Sequence, residues 1–145
     1  MAQKISRAET FMEIAWVWSK RSTCSSRIAV GSVLVNQYNQ VIASGYNGAP
    51  HGLHHCDDVG CSLDSDGHCI SAIHSEENAI LQCATNGVSS RGCVLYVTHS
   101  PCRKCALRII QAGISAVIYD RVYGDLISTE TLLTKAGIPI VRRQQ

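Results

Sequence analysis

Proline and aromatic side chains are scarce in this chain: three prolines, one phenylalanine, and aromatics at 6% of 145 residues. So little proline excludes a polyproline or collagen-like rod, and no low-complexity run or internal repeat points to a linker or a solenoid. Long apolar runs are missing as well, and no stretch approaches the ~20 residues that cross a bilayer as a helix. Met1 to Ser6 is polar, and Arg7, Glu9 and Glu13 break up the apolar residues behind it, so no secretory signal is expected. Neither sign of charge prevails. Thirteen Lys and Arg stand against 11 Asp and Glu, a net charge of +2 spread through the chain. That excludes the concentrated basic stripe that duplex nucleic acid requires, while a single small nucleotide stays compatible.

What is present describes a compact globule. Hydrophobic residues make up 46% and mean hydropathy is +0.05, enough for one core in a single domain over residues 1–145. Eight cysteines would suit a disulfide scaffold in a shorter secreted chain. Here they cluster with histidines at metal-ligand spacings, which implies a reducing, cytoplasmic setting.

Ser6-Arg7-Ala8-Glu9 has capping-box spacing, and Phe11, Ile14, Ala15, Val17 and Trp18 supply an apolar face, so the pattern predicts a helix over 6–20. Ile28 to Val35 and Val41 to Tyr46, separated by the polar turn 36–40, predict a β-hairpin. Residues 51–67 carry Gly, His, Cys and Asp without a sustained period and predict a loop, long enough to need a function or a staple. Beyond it the chain reads helix (71–85, capped by Asn86-Gly87), strand (93–98), helix (101–111), strand (114–119), helix (near 128–136) and strand (138–141). A hairpin followed by strand, helix, strand, helix, strand implies an α/β domain with a mixed five-stranded sheet whose later strands are parallel.

The chemistry concentrates in His74-Ser75-Glu76-Glu77 and Ser100-Pro101-Cys102-Arg103-Lys104-Cys105. One histidine and two cysteines can hold a zinc ion and leave one tetrahedral position open for water, the mark of a catalytic site over a closed structural one. Ser100 suits an N-cap and Pro101 the first helical position, which puts Cys102 and Cys105 at i and i+3 on one face. His74 is expected at the start of its own helix. Glu76 then serves as proton carrier without ligating the metal, and Glu77 reads as a solvated helix residue. A Cys-x-x-Cys alone has a rival reading as structural zinc or core. His-x-Glu followed by Pro-Cys-x-x-Cys is the known signature of zinc-dependent nucleobase deaminases, matched here as a pattern.

Further residues extend the likeness. Arg21-Ser22-Thr23-Cys24 with Arg27 and Val30-Gly31, then Gly45-Tyr46-Asn47-Gly48 with Pro50 and Gly52, and Cys56, Gly60-Cys61 and Gly67-His68-Cys69 belong to it. Tyr96-Val97-Thr98 and Gln111-Ala112-Gly113-Ile114 flank the cysteine pair. With these the chain resembles the deoxycytidylate (dCMP) deaminases of bacterial and phage type, in the zinc-dependent cytidine/deoxycytidylate deaminase family. The resemblance implies a cytidine deaminase-like three-layer αβα sandwich, dCMP as substrate, and dUMP for thymidylate synthesis as product. It also implies a homohexamer activated by dCTP and inhibited by dTTP, with Mg2+ accompanying the triphosphate. By the same resemblance Asn47 contacts the deoxyribose and base, Arg27 the phosphate, and Tyr123 packs near the nucleotide. Ser75 replaces the alanine commoner in the family triplet and sits beside the substrate. Rival classes are a free-nucleoside or tRNA adenosine deaminase and a zinc-stabilised interaction module. The glycine-rich stretch with Gly45, Asn47, Gly48 and Gly52 can bring backbone amides close to a regulatory triphosphate.

Five more soft or borderline ligands stand outside the catalytic set: Cys24, Cys56, Cys61, His68 and Cys69. Four suffice for a second, structural zinc that would staple the long loop. Cys24 precedes the first strand of the hairpin and Cys56 follows the second, so both are expected at one end of the sheet. Adjacent His68 and Cys69 rarely reach one ion together; the expected set is Cys24, Cys56 and Cys61 with His68, or else Cys69. Cys83 and Cys93 read as core.

Overall fold

The computed structural model describes residues 2–24 and 27–144, and within them five strands and five helices build one layered unit. Helix α1 (Arg7–Ser19) starts as predicted, with the Ser6 hydroxyl accepting from the Glu9 N–H at 3.1 Å. It buries Phe11, Met12, Ala15 and Ser19. Val17, predicted on the apolar face, is 62% exposed, because two residues past Ala15 is the far side of a helix turning ~100° per residue.

Strands β1 (Gly31–Val35) and β2 (Val41–Tyr46) form the predicted hairpin, with Asn39 at φ +60° in its turn. The predicted start at Ile28 is too early. Ahead of Gly31 the backbone bonds a side chain: Val30 N–H donates to Asn47 Oδ1 at 2.8 Å, and Asn47 Nδ2 donates to the Ile28 carbonyl at 3.1 Å. Strands β3 (Val94–His99), β4 (Ala116–Arg121) and β5 (Ile140–Arg142) complete a sheet of order β2-β1-β3-β4-β5. β1 runs antiparallel to both neighbours, and the β3–β4 and β4–β5 pairs are parallel. Helices α4 (Arg103–Gln111) and α5 (Leu126–Lys135) make the two crossovers that parallel pairing requires.

Between the hairpin and β3 lie a one-turn helix, α2 (Cys56–Val59), inside the predicted loop, and α3 (Ser75–Asn86). α3 starts later than predicted because Ile73 is held in extended pairing with Gly48 through two backbone hydrogen bonds of 2.8 and 3.1 Å. It ends as predicted at Gly87, in the left-handed region at φ +66°. α5 begins at Leu126 because Asp125 caps it, Oδ1 accepting from the Ser128 N–H at 3.0 Å.

Alternation along the strands feeds two cores. Val33, Val35 and Tyr96 meet Phe11, Met12 and Ala15 of α1. On the other face Leu34, Leu95, Val97 and Val117 meet Ala79, Cys83, Ala106, Ile109 and Leu133 from α3, α4 and α5, with Cys93 among them. The fold is therefore the predicted αβα sandwich. No described helix is long and apolar enough to cross a membrane.

Both helix layers press on the hairpin where it has no side chain. A Cβ at Gly31 would lie 2.0 Å from the Ala15 carbonyl oxygen, and one at Gly45 2.1 Å from that of Ser75. β2 and β3 are each antiparallel to β1, so their carboxyl ends share one edge of the sheet. The N-termini of α3 and α4 both open there. Gly31→Ala is expected to destabilise the protein by about 1–3 kcal/mol through overpacking against helix backbone, measured as a fall in the chemical denaturation midpoint. A midpoint equal to wild type would show that α1 can move away freely.

Candidate active site and metal centres

His74 is the N-cap of α3, with extended backbone (φ −69°, ψ 154°) and a side chain that makes no capping bond. Its ring is thus free to face α4. Nδ1 lies 3.5 Å from Cys102 Sγ and 3.4 Å from Cys105 Sγ, and the three ligand atoms all fall within 4.8 Å of one another. The predicted cap of α4 needs correcting. Cys102, with φ −77° and ψ 167°, is the N-cap, and its sulfur accepts from the Cys105 N–H at 3.5 Å. Pro101 precedes the cap.

Ser100 is engaged elsewhere: its hydroxyl donates to the Tyr123 carbonyl at 3.0 Å and accepts from the Tyr123 N–H at 2.7 Å. Thr129 of α5 donates to the Pro101 carbonyl at 3.0 Å. These three bonds clamp the segment that delivers Cys102. On the α3 side, Ser32 Oγ donates to the Ser75 carbonyl at 2.8 Å and Asn78 Nδ2 to the Tyr46 carbonyl at 2.7 Å. Sequence reasoning passed over Ser32, Asn78 and Thr129. A single serine inside the apolar strand Gly31–Val35 is the one signal that pointed to a buried polar task.

The donors share protons before any metal binds. A hydrogen bond from the Cys105 thiol, helped by His74, pulls Cys102 down to about 3. The same contact with Cys102, with burial behind it, pushes Cys105 far up. Hydrogen bonding to Cys102 raises His74 above the ordinary imidazole range. Ligation by Cys105 requires the thiolate, so metal binding has to displace the proton of its thiol. Glu76 is 5% exposed. Burial holds its carboxyl above the usual range, and Ser75 Oγ donates to its Oε2 at 3.0 Å. Glu77, predicted to be solvated, pairs with Arg108 Nε at 2.6 Å and ties α3 to α4.

The other residues singled out on sequence divide. Asn47 is 9% exposed, and each end of its amide already holds one backbone group of 28–30; each end retains capacity for one more bond. Tyr123 is held at the site rim through Ser100 and is 40% exposed. Arg27 donates from its guanidinium to the Gly67 carbonyl, bracing the cysteine loop. The glycine stretch is a correction. Gly45 is buried against α3 and the Gly48 N–H donates to the Ile73 carbonyl at 3.1 Å, so neither can cradle a triphosphate, and of the three only Gly52 is open.

A second sulfur cluster lies nearby. Cys24, Cys56, Cys61 and Cys69 bring their sulfurs within 4.8 Å of one another, with Cys24 to Cys61 at 3.3 Å and Cys56 to Cys69 at 3.6 Å. His68 stands outside this set, and its Nδ1 lies 3.7 Å from Asp64 Oδ1 in the exposed turn 64–68. Neighbouring side chains in an extended segment point to opposite sides, so Cys69 takes the inward place and His68 the outward one. Burial pushes the Cys24 thiol far up and Cys56 to about 11.

One histidine and two cysteines at the mouths of two helices, with a buried glutamate between the layers, suit zinc in donor chemistry and leave room for a reacting group. An αβα sandwich carrying this set defines the class of zinc-dependent nucleobase deaminases. Residues 5–121 match the family described as the cytidine and deoxycytidylate deaminase zinc-binding region. The chain belongs to that family. It is similar to ComE operon protein 2 of Bacillus subtilis, 43% identical over 138 residues that make 95% of this chain and 71% of that protein. It is also similar to the deoxycytidylate deaminase of Schizosaccharomyces pombe, 39% identical over 137 residues, 90% of this chain but 42% of that protein. Among solved structures it resembles the dCMP deaminase of cyanophage S-TIM5 in complex with dCMP and dUMP. That match has a TM-score of 0.82 and 32% identity, and covers 98% of this chain and 100% of that one.

Proposed function

We propose that this chain, acting as a single domain, hydrolyses dCMP to dUMP and ammonia in the cytoplasm, supplying dUMP for thymidylate synthesis. The observation that carries the proposal is the convergence of His74, Cys102 and Cys105 beside buried Glu76, in a fold whose S-TIM5 relative holds dCMP and dUMP. His74, Cys102 and Cys105 would hold zinc, which supplies Lewis acidity that makes water nucleophilic at neutral pH. Glu76 takes the proton released by the attacking water and delivers it to N3 of the pyrimidine, making C4 electrophilic. After attack at C4, Glu76 takes the remaining hydroxyl proton of the adduct and passes it to the amine, so that the C4–N bond breaks, ammonia leaves and the C4 carbonyl forms. Burial favours the acid role, because desolvation raises the carboxyl and disfavours its charged form. By family resemblance Asn47, whose amide keeps capacity for one more bond at each end, would contact the nucleotide together with Ser75 and Tyr123, and Arg27 would contact its phosphate.

A panel of dCMP, cytidine, deoxycytidine and tRNA should show ammonia release from dCMP above all. Good turnover of cytidine or of adenosine in tRNA with none of dCMP would discard the reading. By family resemblance the protein is a homohexamer activated by dCTP with Mg2+ and inhibited by dTTP. Light scattering showing a monomer, with dCMP kinetics indifferent to both triphosphates, would remove that part.

Glu76→Gln should lower kcat by about 10²–10⁴-fold, the range of general acid–base catalysis, with zinc content unchanged. His74→Ala and Cys102→Ser should lose the catalytic metal as well. Loss of zinc from the Gln variant would make Glu76 a ligand.

A second zinc on Cys24, Cys56, Cys61 and Cys69 is the companion proposal, supported by four sulfurs at mutual distances a tetrathiolate can use. Elemental analysis after chelator-free purification should find about two zinc per chain, and Cys56→Ser should lose one of them and melt at lower temperature. A single zinc in the wild type would end this proposal.

A further inference from the structure

The four clustered cysteines fall into two matched pairs. Cys24 is 1% exposed and Cys56 4% exposed, whereas Cys61 and Cys69 are partly open to solvent. Each open thiol has a buried one close by: Cys61 lies 3.3 Å from Cys24, and Cys69 lies 3.6 Å from Cys56. A solvent-reached sulfur beside a sheltered resolving sulfur is the arrangement of a reversible thiol switch. The buried pair gives an oxidant no entry of its own.

We infer that this cluster is a redox modification site, in which hydrogen peroxide oxidises Cys61 and Cys69 and Cys24 and Cys56 resolve them into two disulfides. The step balances at each pair. The open thiolate attacks a peroxide oxygen, the O–O bond breaks, and hydroxide leaves, taking up a proton to become water. The resulting sulfenic acid is attacked by the buried sulfur, a S–S bond forms and the S–O bond breaks, and the oxygen departs as a second water. Two thiols lose two electrons and two protons, and one hydrogen peroxide is reduced. The sulfurs have to approach by less than about 2 Å to reach disulfide length.

The released-metal part of this inference rests on the second-zinc reading, and the crosslinking part stands without it. Both products keep the segment 56–69 stapled, the reduced form by metal and the oxidised form by covalent bonds. Cys24 anchors the staple to the segment ahead of β1, where the Thr23 carbonyl accepts from the Asp57 N–H at 3.1 Å.

The full-length protein, assayed for zinc beforehand, is treated with hydrogen peroxide, blocked by alkylation, digested without reductant and mapped by mass spectrometry. Expected are crosslinked peptides joining Cys24 to Cys61 and Cys56 to Cys69, release of one zinc per chain, and recovery of both on adding dithiothreitol with zinc. In Cys56→Ser, Cys69 should accumulate as a dimedone-reactive sulfenic acid while the Cys24–Cys61 link still forms. Sulfinic or sulfonic acid at Cys61 and Cys69 without crosslinks, or crosslinks of any other pairing in the wild type, would overturn the switch. Both expected crosslinks from a protein that began with one zinc would retain the switch and refute the second-zinc reading instead.

Discussion

The first turn of α3 sits directly on the backbone of the hairpin, and much of the site geometry depends on that contact. Gly45 permits it, since any Cβ there would strike the Ser75 carbonyl. Ser32 then binds that same carbonyl, and Asn78 binds the end of β2. A residue flanked by such contacts cannot rotate, and Ser75 stands between His74 and Glu76. Ligand and proton carrier are thereby held on opposite sides of one immobilised residue. Gly31 gives α1 an equally close seat on the other face, which explains how a sheet with five strands keeps two helix layers in register on its hairpin half.

Helix ends supply the electrostatics. Cys102 is both ligand candidate and N-cap of α4, so the amide that satisfies the helix terminus also stabilises a thiolate. The neighbouring His74 at the mouth of α3 gains from that thiolate in turn. Three donors with a buried carboxylate make an open site, whereas four sulfurs make a closed one. The protein gathers a donor set of each size, His74 with Cys102 and Cys105, and Cys24 with Cys56, Cys61 and Cys69; on the second-zinc proposal the larger set would anchor a long irregular segment. Without an anchor, a segment of this length would sacrifice considerable conformational entropy on folding.

The element pattern, the hairpin, the parallel later strands and the grouping of His74 with Cys102 and Cys105 were legible in the sequence. Each rests on local periodicity, turn chemistry or motif spacing, and these act over a few residues. Cysteines from widely separated positions, Cys24 and Cys56, could also be brought together on paper, because a hairpin returns the chain to its starting edge. Tertiary structure alone decided the rest. It selected Cys69 over His68, since which of two adjacent side chains points inward depends on the pairing around Leu63 and Cys69. It moved the cap of α4 from Ser100 to Cys102, because Ser100 has a partner in Tyr123 from a distant loop. It turned Gly45 and Gly48 from a phosphate cradle into packing surfaces, since a glycine that frees an amide and a glycine that admits a helix look alike until the neighbour is known.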